Sequence, residues 1–170
     1  MLLFRKIERK CWLPPPSVDW LAPDDFVADP LGDLATSEGT LSVWCLDQDC
    51  AEPRIAAAIS AKRSKFVGLD YFVLDEVKLR AAGFELQKTR GDSADRDLNK
   101  RCHHDIVKLS ERSLPVLAAL FRSSAVPRTY TCPSIMEFLA DGIRLKRLQR
   151  TSVQKSWIEN MVQEGLLPNE

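Results

Sequence analysis

The sequence predicts an α/β or α+β domain: a small mixed sheet with a β-α-β-α-β centre, covered by helices, with a C-terminal helical appendage. Three observations lead there. Residues 40–90 read as strand, helix, strand, helix, strand, punctuated by Gly39, Gly68 and Gly83. The runs Leu41–Leu46 and Leu69–Leu74 are apolar on both faces, as suits strands covered on both sides. From Ser134 onward the pattern is helical only. The expected division is therefore 1–133 as the α/β domain, with an extended acidic N-terminal segment, and 134–170 as the appendage packed on it.

Taken in order, Leu2–Ile7 fits a strand and ends in bases at Arg5, Lys6, Arg9 and Lys10. Trp12-Leu13-Pro14-Pro15-Pro16 is extended, because consecutive prolines fix φ and lack donors. Such a stretch either wraps the domain with its tryptophans in the core or offers a docking segment. Residues 21–39 are acidic and turn-rich, with one helical turn around Pro30–Leu34. In Thr40–Leu46, Leu41, Val43 and Cys45 point to one face and Trp44 and Leu46 to the other. Pro53 sits in the first turn of a helix that carries Ile55, Ala58, Ile59 and Phe66. Leu69–Leu74 is the next strand, and the two strands, joined by one helix, are expected to be parallel neighbours. Asp75 caps a short helix that Gly83 stops. Phe84–Lys88 alternates and belongs near an edge.

Arg90-Gly91-Asp92-Ser93 is a polar turn whose Arg-Gly-Asp is a chance match to an adhesion tripeptide. Leu98, Cys102, Ile106 and Leu109 form one stripe of a helix over 94–112. Pro115 opens another, and Arg128–Cys132 fits a short edge strand. Ser134 and Glu137 form a capping box for a helix ending at Gly142, and Thr151 and Gln154 repeat that logic for a last helix ending at Gly165.

At 170 residues, 45% hydrophobic and 28% charged, the chain has the composition of one globular domain that needs no metal or disulfide to fold. No run approaches the roughly 18 apolar residues of a membrane helix. The N-terminal residues lack the pattern of a secretory signal, and five cysteines without pairing motifs point to reduced thiols in a cytoplasm. Richness in Ala, Arg and Leu fits a GC-rich bacterial genome.

Net charge is zero but unevenly spread. Residues 11–53 hold nine acids and no Lys or Arg; residues 143–155 hold five bases and no acid. Opposed segments of this kind either face each other within the fold or meet a partner of opposite sign.

Three constellations could carry function. Asp47 and Asp49 follow one strand and Asp75 the next; gathered at the carboxyl ends of parallel neighbours, they could hold Mg²⁺ for phosphoryl or phosphodiester hydrolysis. Singly, each could equally cap the helix that follows. Residues 136–167 resemble a helix-turn-helix, with Arg144, Arg147, Arg150 and Lys155 placed to neutralise phosphates. Cys102-His103-His104-Asp105 lacks metal-ligand spacing, since successive helical residues diverge. The usual phosphate-cradling and nucleophile-elbow motifs are absent from the sequence, so no cofactor is implied. The reading with most support is a non-catalytic accessory, immunity-like or regulatory subunit acting through a protein partner. Its expected contacts are Trp12, Trp20, Asp24, Asp25 and Asp29, because aromatic anchors beside charge are what an interface needs.

Overall fold

The computed structural model describes residues 1–8, 11–12, 29–34, 38–124 and 127–169. The strands are β1 (Leu2–Ile7), β2 (Leu41–Leu46), β3 (Leu69–Asp75), β4 (Glu85–Lys88), β5 (His103–Val107) and β6 (Arg128–Tyr130). They form one six-stranded sheet in the order β4-β5-β2-β1-β3-β6. The helices are α1 (Asp29–Leu34), α2 (Glu52–Ser60), α3 (Glu76–Ala81), α4 (Arg96–Arg101), α5 (Leu114–Ser124), α6 (Cys132–Arg144) and α7 (Lys155–Gln163). The chain is thus a mixed helix-and-strand protein, as its sequence predicts.

Helices cover both faces of the sheet. On one, Phe4, Trp44, Leu69 and Tyr71 meet Ile55 of α2, Leu98 of α4, Ile135 and Leu139 of α6 and Trp157 and Met161 of α7. On the other, Leu3, Val43, Cys45, Phe72 and Leu74 meet Leu34 of α1, Leu79 of α3 and Leu117 and Phe121 of α5. Adjacent residues of β2 divide between the two cores as alternation requires. The C-terminal helices share the first core: Trp157 is fully buried, tilts on Phe66 at 4.5 Å, and donates its indole N–H to the Arg63 carbonyl at 3.3 Å.

Two expectations about the sheet are corrected. It is antiparallel in every pairing rather than mixed. Strands β2 and β3 do run in the same direction, but β1 lies between them and pairs antiparallel with both. This is a split β-α-β unit. The N-terminal strand takes the centre because Leu3 and Phe4 are fully buried on opposite faces.

The helix expected over 94–112 is also corrected. Helix α4 ends at Arg101 and β5 follows at once, bridging β2 and β4. Leu98, Cys102 and Ile106 are spaced four apart, which satisfies period 2 as well as period 3.6. What decides is the edge of β2, whose backbone groups would otherwise lack partners.

At α6, Thr131 rather than Ser134 is the cap, its hydroxyl accepting the Ser134 N–H at 3.4 Å. The helix runs through Gly142, whose bare Cα makes room for Leu148; a Cβ there would stand 2.8 Å from the leucine Cδ1. Helices α3 and α7 stop at Gly83 and Gly165 as expected, both at positive φ. Among the described residues no helix is long and apolar enough to cross a membrane.

Candidate functional site

The loop after β2 is built on Asp47. Its Oδ1 accepts the N–H groups of Asp49 at 2.8 Å and Cys50 at 2.7 Å, and this turns the chain into α2. Asp49 takes a hydrogen bond from the Arg101 guanidinium at 2.7 Å, and that bond and charge hold its carboxyl below the ordinary range. Asp75 stands elsewhere. It caps α3 by accepting the Val77 N–H at 2.9 Å. Leu46 and Asp75 flank Leu2 from opposite sides, so the ends of β2 and β3 lie two strand spacings apart, roughly 10 Å. The gathering of Asp47, Asp49 and Asp75 expected of parallel neighbours is therefore not formed.

Beside that loop sits a buried ion pair. Arg54 of α2 donates from Nε to Asp95 at 2.8 Å, from one terminal nitrogen to Asp97 at 3.1 Å, and from the other to the Asp49 carbonyl at 2.8 Å. The Asp95 side chain is 2% exposed and that of Arg54 14%. Burial alone would lower the Arg54 pKa; Asp95 and Asp97 outweigh it and raise it. The other oxygen of Asp95 caps α4, accepting from the N–H groups of Asp97 at 3.0 Å and Leu98 at 3.1 Å.

A disulfide links Cys50, just before α2, to Cys102, just after α4. Both residues are buried, and their Cα atoms stand 6.5 Å apart, within the range such a link spans. The expectation of five reduced thiols is corrected at these two positions; Cys11, Cys45 and Cys132 form no disulfide. Asp47, Cys50 and Cys102 bring ligand atoms within 4.8 Å of one another, but sulfurs bonded to each other offer no thiolate to a metal.

Between the start of α2, the start of α4 and the end of α6 runs a groove with two lobes. The apolar lobe, ≈ 190 Å³, is lined by Pro53, Ala57, Phe138, Leu145 and Leu148. The polar lobe, ≈ 510 Å³, is lined by Arg96, Asp97, Lys146, Arg147, Gln149 and Ser152. Arg54, Asp95 and Arg147 border both. Leu145 is 60% exposed at the rim. Arg96, Lys146 and Arg147 are exposed, and among the described residues their side chains have no hydrogen bond or ion pair; Arg147 acts on Asp49 only through its charge.

The turn that aims Leu145, Lys146 and Arg147 at the groove is a helix stop of the Schellman type. The Lys146 N–H bonds the Ile143 carbonyl at 3.0 Å, and the Arg147 N–H bonds that of Gly142 at 2.9 Å. The left-handed position belongs to Lys146, at φ 57°, where α3 and α7 use glycine. A lysine there costs roughly 1 kcal/mol.

The residues singled out from sequence scatter. Of the connector bases, Arg144 is engaged by Asp141 at 2.9 Å and the Leu166 carbonyl at 2.7 Å, Arg150 by the Pro168 carbonyl at 3.2 Å, and Lys155 by Glu159 at 3.3 Å. Only Arg147 of that set reaches the groove. Trp12 is buried edge-on against Phe72 at 4.9 Å, and its indole N–H is taken by Asp33 at 2.8 Å. It is therefore withdrawn from the surface. Trp20, Asp24 and Asp25 lie outside the described residues, and Asp29 opens α1. Sequence reasoning missed Arg96 and Lys146. The available signal was Asp95, a cap residue placing Arg96 at a helix start.

Two histidines sit off the groove. The Cys45 sulfur lies 3.0 Å from Nδ1 of His104, a pairing that strand register creates across 59 residues. Burial, then the charges of Glu76 and Asp47, push the Cys45 thiol up to about 11, which favours its protonated form at neutral pH. His103 packs edge-on to Trp44 at 4.7 Å with Nδ1 2.8 Å from the Thr89 hydroxyl. Burial lowers its pKa against the opposing pull of Asp105. The unfolded chain therefore binds a proton near pH 6.5 that the folded chain refuses, and stability falls as pH drops from there through the lower folded value. Urea unfolding between pH 5 and 8 should show this slope, and His103→Gln should flatten it; an unchanged slope would remove His103 as its source.

Compared with protein-family models, with curated proteins and with solved structures, the chain matches none, so the functional argument rests on the groove itself.

Proposed function

We propose that this chain is a non-catalytic binding protein that acts through a protein partner, and that the partner seats in the groove between α2, α4 and α6. The carrying observation is the pairing of an apolar lobe and an exposed Leu145 with three cations that have no ion pair of their own among the described residues. An interface needs an apolar anchor surrounded by polar groups it can satisfy, and both are present. The acidic N-terminal segment is weaker support, because Trp12 is buried in the second core.

The two other readings find less. A Mg²⁺-dependent hydrolase would need carboxylates free to converge, whereas Asp47 shapes its loop, Asp49 pairs with Arg101 and Asp75 caps α3. A nucleic-acid binder would need a stripe of free bases, whereas Arg144, Arg150 and Lys155 are engaged within the chain. A cytoplasmic setting remains part of the proposal, and the Cys50–Cys102 link weighs against it, since cytosolic thiols are kept reduced. Thiol labelling in intact cells decides between the two.

The test is capture from the native cell. Leu145→Asp, at an exposed site, should leave the melting temperature unchanged yet cost about 2 kcal/mol of binding, some 30-fold in Kd. A partner held equally by the wild type and by Leu145→Asp would overturn the reading.

A further inference from the structure

We propose that the groove takes an acidic segment of its partner, one in which a large apolar side chain stands next to carboxylates. The inference rests on the groove being the partner's seat and adds the chemistry of what sits there. The apolar lobe, between Pro53, Ala57, Phe138 and Leu145, has a place for a hydrocarbon side chain; of the polar groups that border it, Arg54 and Asp95 are paired with each other and Asp141 with Arg144. The floor between the lobes is neutral, because the buried Asp95 is matched by Arg54. Along the wall, Arg54 and Arg101 are shared among Asp95, Asp97 and Asp49, which leaves one carboxylate charge over, and Asp141 is tied to Arg144, so the three cations of the rim still outnumber it. What remains is Arg96, Lys146 and Arg147, three cations at the rim of the polar lobe with no anion of their own among the described residues. Charge of one sign facing a cleft recruits the other sign and fixes its register.

Lys146 adds a second, independent argument. The helix stop it occupies calls for glycine, and among the described residues the chain places glycine at the two other stops of this kind. A lysine held in the left-handed conformation at the groove is strain kept where a charge is useful. A nucleic acid would answer the cations but not the apolar lobe.

The experiment uses the full chain with three labelled probes: a peptide alternating leucine with glutamate, the same peptide with lysine for glutamate, and a DNA oligonucleotide. The leucine–glutamate peptide should bind, and its affinity should fall about tenfold or more between low and high salt. The leucine–lysine peptide should not bind. Arg147→Glu should abolish binding. Lys146→Gly should weaken it severalfold while holding or raising the melting temperature, a combination that loss of structure cannot produce. Equal binding of the two peptides, or tighter binding of the oligonucleotide, overturns the proposal, as does acidic-peptide affinity unchanged in both variants. If the acidic peptide fails while Leu145→Asp still releases the native partner, the acidic segment falls and the groove stands. If the native partner is also retained, both fall.

Discussion

Reducing the Cys50–Cys102 disulfide is expected to lower the stability of the chain by about 4 kcal/mol. The link closes a loop of 52 residues, and the chain-entropy cost that such a loop removes from the unfolded state is about 4 kcal/mol at 25 °C. For a chain of this size that corresponds to a melting temperature lower by about 8–16 °C. Wild-type protein melted with and without reductant measures it without opening a cavity. A Cys50→Ser, Cys102→Ser variant should melt low and ignore the reductant, since the remaining cysteines form no disulfide. A wild type whose melting temperature does not respond to reductant would show that the link is not part of the folded protein. The groove should respond too. One sulfur immediately precedes its α2 wall and the other closes the helix bearing its α4 wall, so reduction is expected to weaken peptide binding along with the fold.

Asp95→Ala is the point substitution expected to cost most at the groove. Breaking a well-buried ion pair costs about 3–5 kcal/mol, because the surviving charge is left without its partner. Arg54 keeps Asp97 and the Asp49 carbonyl, which puts the loss near the lower end, about 3 kcal/mol. The same substitution removes the cap of α4, worth about 1 kcal/mol more. Urea unfolding should thus place Asp95→Ala about 4 kcal/mol below wild type. Asp95→Asn, which keeps a capping oxygen and the shape, should fall between them. A loss below about 1 kcal/mol for the alanine variant would mean that water reaches Arg54 and that the pair is not the floor of the groove.

The corrections share a cause. From Leu41 to Leu74, apolar periodicity identifies two strands and the helix between them, because each signal is local: β-branched and aromatic residues on both faces, a proline in the first helical turn, a glycine at the break. Nothing local says which strand lies next to which. Leu2–Ile7 reads as a strand, but its insertion between β2 and β3 depends on a pairing across some forty to seventy residues. The same holds at Ile106, whose spacing from Leu98 and Cys102 suits a helix and a strand alike until the unpaired edge of β2 decides. Of the candidate site, Arg147 was legible as one base in a run. That Arg144, Arg150 and Lys155 are engaged elsewhere, and that Arg96 arrives beside it from α4, is a matter of packing.

By itself, then, the sequence determined the class of the protein, most of its strands and helices, the glycine helix stops at Gly83 and Gly165 but not the one expected at Gly142, and the opposition of acidic and basic segments. Those follow from side-chain chemistry over a few consecutive residues. Only the tertiary structure decided the strand order, the disulfide, the burial of Trp12 and the groove with its three cations. Each of these depends on which distant segments the two cores bring together, and contact at long range leaves no mark in local periodicity.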